Sequence, residues 1–463
     1  METRDPVISP RPNSVEADAS QGTAGTRAVG HAPGSRLLWQ LGAALVLLLA
    51  AYVGIGRWRG QLQWERFRRE AAAVEGSLEA REPSRPVLWG EAQDGSAWTC
   101  YARALALMPP GDAGHTLASL GRQAGAALSA GLGDGAPGRA DETPPTATPA
   151  SPASPGGPEG AGLPRLEEVL ASHRDALVAL REGAHRRDPR RPADWAAGFN
   201  MPVLNLLQDR ALANAAVVAA IAATRDGRHV EAVHLLLDGL QLGRDRMQSP
   251  VLIEQMVGCA TLTIVCADTL AWANLLRHLD GDALALFADG LARLDASLPL
   301  GSDWLASETV YFAHHIDGTP AARDELLGDL TWRSWKSGFS PRLLLANYGL
   351  ARLRLACDVQ GMSRRADALE LGSIERRFAD FRHGRSSVPG LDLPHVESTL
   401  RNRLHTIARV RLLRMATQYA RGAEVEALSD PVGGTLQWAV DSGGEAAFWS
   451  DDDPRVRLTV RPR

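Results

Sequence analysis

The chain reads as a mainly α protein: one transmembrane helix, an irregular helical-hairpin (repeat-like) body and a small C-terminal three-stranded β-meander. Three observations predict it. Leu37 to Ile55 is a run of 19 residues without a charge. From Arg165 to about Leu428, apolar residues recur at the three- and four-residue spacing of amphipathic helices. After Ser429 the period drops to two.

Residues 1–35 are rich in Pro, Gly, Ser and Ala and carry no hydrophobic period, so a disordered tail is expected. Residues 36–56 follow as the span. Its charge-free core rises about 28 Å as a helix, close to the thickness of a bilayer's hydrocarbon. The polar stretch before it is too long for an ordinary signal-peptide n-region, and no cysteine follows to permit lipoprotein processing.

Orientation has two readings. Arg27 and Arg36 precede the run, whereas Arg57, Arg59, Arg66, Arg68 and Arg69 follow it, and a plain arginine count puts the body in the cytoplasm. Long domains translocate largely regardless of charge, however, and the later arginines interleave with Glu65 and Glu70 along a continuing helix. The favoured reading is a single-pass protein of a bacterial inner membrane with a cytoplasmic N-terminus and a periplasmic body.

Residues 57–130 read as a helical stalk and the start of the body. Trp64, Phe67, Ala71, Val74 and Leu78 form a heptad-like stripe. Two heptads are short for a coiled coil, so core packing is preferred to dimerisation. Leu88 to Met108 reads as a helix with Trp98, Tyr101, Ala102 and Leu105 on one face. Residues 131–164 are a Pro/Gly/Ala-rich disordered linker.

Residues 165–428 form the α-helical body. Leu166, Val169, Leu170, His173, Leu177 and Leu180 make one stripe; helices are expected over 204–224, 230–246, 251–276, 282–296, 303–316, 343–357 and 400–421. The turn Arg225 to Arg228 implies antiparallel neighbours. Met256 to Ala267 is apolar but too short to span, and is assigned to the core. In the tail, 429–463, Leu436, Trp438 and Val440 alternate, DSGG turns, and Phe448, Ser450, Val456, Leu458 and Val460 supply two more strands.

The net charge of −4 and the absence of a basic block argue against nucleic acid as a partner. Lys336 is the sole lysine among 50 basic residues, a bias expected of a GC-rich bacterial genome. Cys100, Cys259, Cys266 and Cys357 have no metal spacing and read as buried apolar side chains; Cys259 and Cys266 stand about 10 Å apart along a helix, too far for a disulfide.

No phosphate-binding loop, nucleophile elbow or HExxH helix is present, and no catalytic, cofactor-binding or metal-ligating residue is assigned. The nearest thing to a site is Glu308, one turn from Trp304 and Phe312, whose burial would raise its pKa and fit it for acid–base work. A structural glutamate is the preferred reading. His315 lies seven residues on, too far along the axis to share a metal with it. Glu254 and Gln255 could form a polar pocket, yet acids are common at helix N-termini. His173 on an apolar stripe reads as a core histidine. Asp451, Asp452 and Asp453 read as a solvated turn, with calcium as the alternative.

Three stretches carry resemblances. AAVVAAIAATRDGRHVEAVHLLLDGLQLG, within 205–245, resembles a tetratricopeptide-type helical hairpin, with Gly227 in the turn and Ala232 five residues later; His229 stands where that repeat favours an aromatic residue. DPVGGTLQW and GGEAAFWSDDD, within 429–453, resemble the C-terminal end of type II secretion pseudopilins, which implies a small sheet whose acidic loop could hold calcium at Asp451 to Asp453. The N-terminal run lacks the cleavage glycine, aromatic and glutamate of a pilin. The layout as a whole is similar to single-pass envelope proteins of GC-rich bacteria, a likeness that implies a place and no activity.

The leading expectation is a non-catalytic, membrane-anchored helical scaffold or docking protein of the cell envelope with a protein partner, associated with secretion or surface assembly. The alternatives are a hydrolase with a cleft between helices and a membrane-tethered cytoplasmic adaptor or regulator.

Overall fold

The computed structural model describes residues 33–80, 86–109, 117, 119–120, 166–191, 194–195, 206–249, 251–267, 275–298, 302–318, 341–365, 394–432, 434–451 and 457–460. The expected linker at 131–164 and almost all of the expected N-terminal tail lie outside them.

Helix α1 spans Pro33–Glu79. It starts before Arg36, so the last three residues assigned to the tail are helical. One stretch of it is long and apolar enough to cross a membrane, and the apolar side chains from Trp39 to Ile55 are exposed. By internal contacts the chain divides into residues 1–55 and 56–463, and the remaining description concerns the second unit.

Within that unit, Trp64, Phe67 and Ala71 of α1 are buried against α8 (Ser302–Gly318) and α9 (Pro341–Arg365), through Phe312, Ala313, Ile316, Leu345 and Tyr348. The heptad-like stripe thus packs into the core. Gly349 permits this closeness, since a Cβ there would stand 2.4 Å from the Phe67 ring. Trp195 fixes the end of α1 by donating its indole N–H to Glu79 Oε1 at 2.9 Å.

The larger core is built on α3 (Leu166–Ala184), α4 (Leu206–Arg225), α5 (His229–Arg246), α6 (Leu252–Ala267), α7 (Gly281–Ser297) and α10 (Pro394–Ala420). These helices fall on the expected segments, with 268–274 of the helix expected over 251–276 outside the described residues. The short turn between α4 and α5 makes them antiparallel neighbours, and Gly227 there takes φ +76°, a left-handed value that favours glycine. Helix α5 is the centre: from Ala232 to Arg246 every residue except His234 is buried. A helix apolar on most sides is a core helix. Val257, Cys259, Leu262, Val265 and Cys266 of α6 are also buried, as expected for Met256 to Ala267. Cys100, Cys259 and Cys266 are free and buried, and burial pushes the Cys266 thiol up to about 12.

One expectation is corrected. The helix read over Leu88 to Met108 begins only at Ala97: α2 covers Ala97–Ala106, and before it Gln93–Ser96 forms strand β1, parallel to β2 (Arg186–Asp188). Gly90 and Gly95, both at positive φ, break the helical path, and Gln93 donates its backbone N–H to His185 O at 2.7 Å. Ala97, Cys100, Tyr101, Ala104 and Leu105 fill the buried face, with Trp98 and Ala102 only half-buried at its margin.

Strands β3 (Gln437–Val440), β4 (Ala446–Trp449) and β5 (Arg457–Val460) form the antiparallel meander, with Trp438 opposite Phe448 and Phe448 opposite Leu458. Ala446, Phe448, Leu458 and Val460 are buried in the same core cluster as Leu412, Leu413 and Met415 of α10. The sheet therefore packs onto the body. Strand β3 is one of the two edge strands, and Trp438 and Val440 on it are exposed, although the Trp438 ring stacks on Phe448 and lies 6.3 Å from Tyr419 of α10.

Candidate functional site

A groove of about 1100 Å³ is bounded by α3, the α4–α5 hairpin and the segment at Trp89 to Gln93. Its apolar lining comes from α3 (Leu166, Leu170, Leu177, Val178) and from Ala219, Ala222 and Leu235. The spacing that buries Val169, His173, Ala176 and Leu180 under α3 leaves Leu170, Leu177 and Val178 facing the groove. Much of its charge is spent within the fold: Arg228 pairs with Asp226 and Glu231, Arg103 with Glu182, and Arg181 with Asp238.

One end of the groove is built around Trp89. Its ring stacks on His234 at 3.6 Å between centroids, meets His185 edge-on at 4.2 Å and lies 5.5 Å from the Arg181 guanidinium carbon. Gly90 allows the histidine in, because a Cβ at that position would stand 2.9 Å from His185 Cε1. Below them, buried Asp238 accepts from Trp89 Nε1 at 2.8 Å and from Arg181 Nε at 3.1 Å. Burial raises the Asp238 carboxyl above the usual range while Arg181 and the indole N–H oppose that shift. Burial against the ring, with Arg181 and His185 adding to it, lowers His234 to about 4.

Asp238 belongs to a polar stripe on α5 with Gln241 and Asp245, at spacings of three and four. Each holds one group of the 88–101 segment. Gln241 Oε1 accepts from the Leu88 backbone N–H at 3.2 Å, and Asp245 Oδ2 from the Tyr101 hydroxyl at 2.6 Å. On another side Arg246 donates to Asp209 at 2.8 Å, both fully buried, and its guanidinium carbon lies 4.3 Å from the Trp98 ring centroid.

The described residues singled out in the sequence sit elsewhere. Glu254 pairs with Arg191 and accepts from Ser249 Oγ at 2.5 Å. Gln255 Nε2 donates to Ser249 O at 2.5 Å and Oε1 accepts from Arg403 at 3.4 Å. Glu308 accepts the Leu252 backbone N–H at 3.2 Å, thereby capping α6, with Arg352 Nη2 at 3.8 Å. Burial raises the Glu308 carboxyl and Arg352 works against the rise.

His173 Nδ1 bonds Val169 O at 2.7 Å inside the core. His315 is lowered by burial. His229 bonds Asp280, the N-cap of α7, at 3.1 Å. Asp451 accepts from Trp449 Nε1 at 2.9 Å, whereas Asp452 and Asp453 lie outside the described residues. Among the described residues no group of three or more His, Cys, Asp or Glu side chains could hold a metal ion.

No family model, curated protein or solved structure matches this chain.

Sequence reasoning missed Trp89 and its partners. The signal was present in α5, where Asp238, Gln241 and Asp245 interrupt a long apolar stretch on a single face; nothing in the sequence names what they hold.

Proposed function

We propose that the chain is a non-catalytic, single-pass docking protein of the bacterial cell envelope, its helical body outside the inner membrane and its groove beside Trp89 receiving a protein partner. The groove carries the reading. It offers an apolar strip on α3 and α4, and its floor is rigidified by the Asp238 network. The candidate carboxylates of a hydrolase, Glu254 and Glu308, are tied to arginines, a serine and a backbone amide, which favours a structural role for both. The likeness of the tail to type II secretion pseudopilins and of the α4–α5 hairpin to a tetratricopeptide unit supports a partner in secretion or surface assembly.

The test is a photo-crosslinking amino acid placed at Val178 or Ala222 in the groove, and at Glu424 outside it, in the full chain in native membranes. One discrete adduct from the two groove positions and none from Glu424 supports docking. Equal labelling from all three positions, or none from any, contradicts it.

A further inference from the structure

We infer that α1 bears a binding surface for acidic phospholipid headgroups, made by Arg57, Trp58 and Arg59; the inference rests on the reading of Leu37 to Ile55 as a membrane span. Beyond the charge-free run the helix carries two opposed apolar stripes. Trp64 and Phe67 turn into the core, whereas Trp58 and Leu62, four residues apart, are 63% and 46% exposed. Among the described residues neither Trp58 nor Leu62 belongs to a core cluster. A tryptophan-led apolar stripe at the end of a span fits the interfacial layer of a bilayer, where an indole ring keeps its apolar body in the acyl boundary and its N–H among headgroups.

The arginines separate into two sets. Arg66 pairs with Glu70 at 2.9 Å, Arg68 with Asp317 at 2.7 Å, and Arg69 donates to Glu65 O at 3.4 Å. Arg57 and Arg59 are exposed and, among the described residues, make no hydrogen bond or ion pair. Each sits about 100° around the helix from Trp58, on either side of it. They bracket the stripe, so each guanidinium reaches its own headgroup, with the planar fork that suits a phosphate. An acidic lipid supplies what neutral phosphatidylcholine lacks, an uncompensated negative charge, and each basic residue near such a surface is worth about a fivefold preference.

The experiment uses the full chain in nanodiscs of mixed phosphatidylcholine and phosphatidylglycerol, with the lipids retained on the detergent-extracted protein quantified by mass spectrometry. Phosphatidylglycerol should be enriched over its share in the disc. Arg57→Gln should lower the enrichment by about fivefold and R57Q/R59Q should abolish it, while Arg66→Gln, a paired arginine, leaves it in place. Unchanged enrichment in the double variant, or none in the wild type, overturns the lipid assignment alone. A wild-type chain that does not enter the disc overturns the span, and the assignment with it.

Discussion

Trp89 donates its indole N–H to the buried carboxylate of Asp238 across 2.8 Å, joining residues 149 apart in the chain. Arg181 reaches the other oxygen of that carboxylate at 3.1 Å, so one acid ties the 88–101 segment and α3 to the central helix.

Asp238→Ala strands an indole N–H and a guanidinium around a buried gap. Loss of one partner of such an arrangement costs about 3 kcal/mol. Urea unfolding of the full chain in detergent, followed by helical circular dichroism, should show that loss, and Asp238→Asn, which keeps an acceptor for the indole, should show a smaller one. Equal stability of Asp238→Ala and the wild type contradicts the anchoring role.

His234 gives a pH dependence with a definite sign. It is lowered from 6.5 to about 4, so the unfolded chain takes up its proton at a higher pH than the folded one. Stability therefore falls as pH drops from about 6.5 towards about 4. Arg181 and His185 beside the ring drive the same way and Glu231 opposes. Replacing His234 with Gln should flatten that part of the stability–pH curve relative to the wild type; parallel curves would remove the histidine from the account.

Phe448→Ala separates a tail that closes the body from one that hangs free. Phe448 is fully buried in the α10 core, so its truncation should cost about 3–5 kcal/mol and lower the helical unfolding transition. A separate tail domain would lose its sheet signal and leave that transition in place.

Gly349→Ala tests the seat of α1. The new methyl meets the Phe67 ring, and overpacking of this kind costs about 1–3 kcal/mol. Hydrogen exchange should quicken in α1 after Gly60 and in α8 and α9, with α4 and α5 unaffected. Uniform or absent change would contradict a local contact.

The helices were legible because their apolar periods are long. Leu212, Ala216, Leu236 and Leu240 announce α4 and α5 before any contact is known. The 88–101 segment was misread because Leu88, Trp98, Tyr101 and Leu105 can be threaded onto a helix, while the positive φ of Gly90 and Gly95 and the ladder to β2 depend on residues about ninety positions away. Trp438 and Val440 keep their alternation but lie on an edge strand and stay exposed, with Tyr419 of α10 6.3 Å from the Trp438 ring. The groove stayed hidden for the same reason as the Asp238 network: its walls come from 89–93, 166–185 and 219–235, and a concave surface is a property of their packing.

The central claim, a membrane-anchored body in the cell envelope, meets its most direct test in two C-terminal fusions: a phosphatase active only outside the cytoplasm and a fluorescent protein that folds only inside it. The account predicts phosphatase activity without fluorescence. Fluorescence without phosphatase activity would contradict it, and would mean that the arginines following Ile55 hold the body in the cytoplasm.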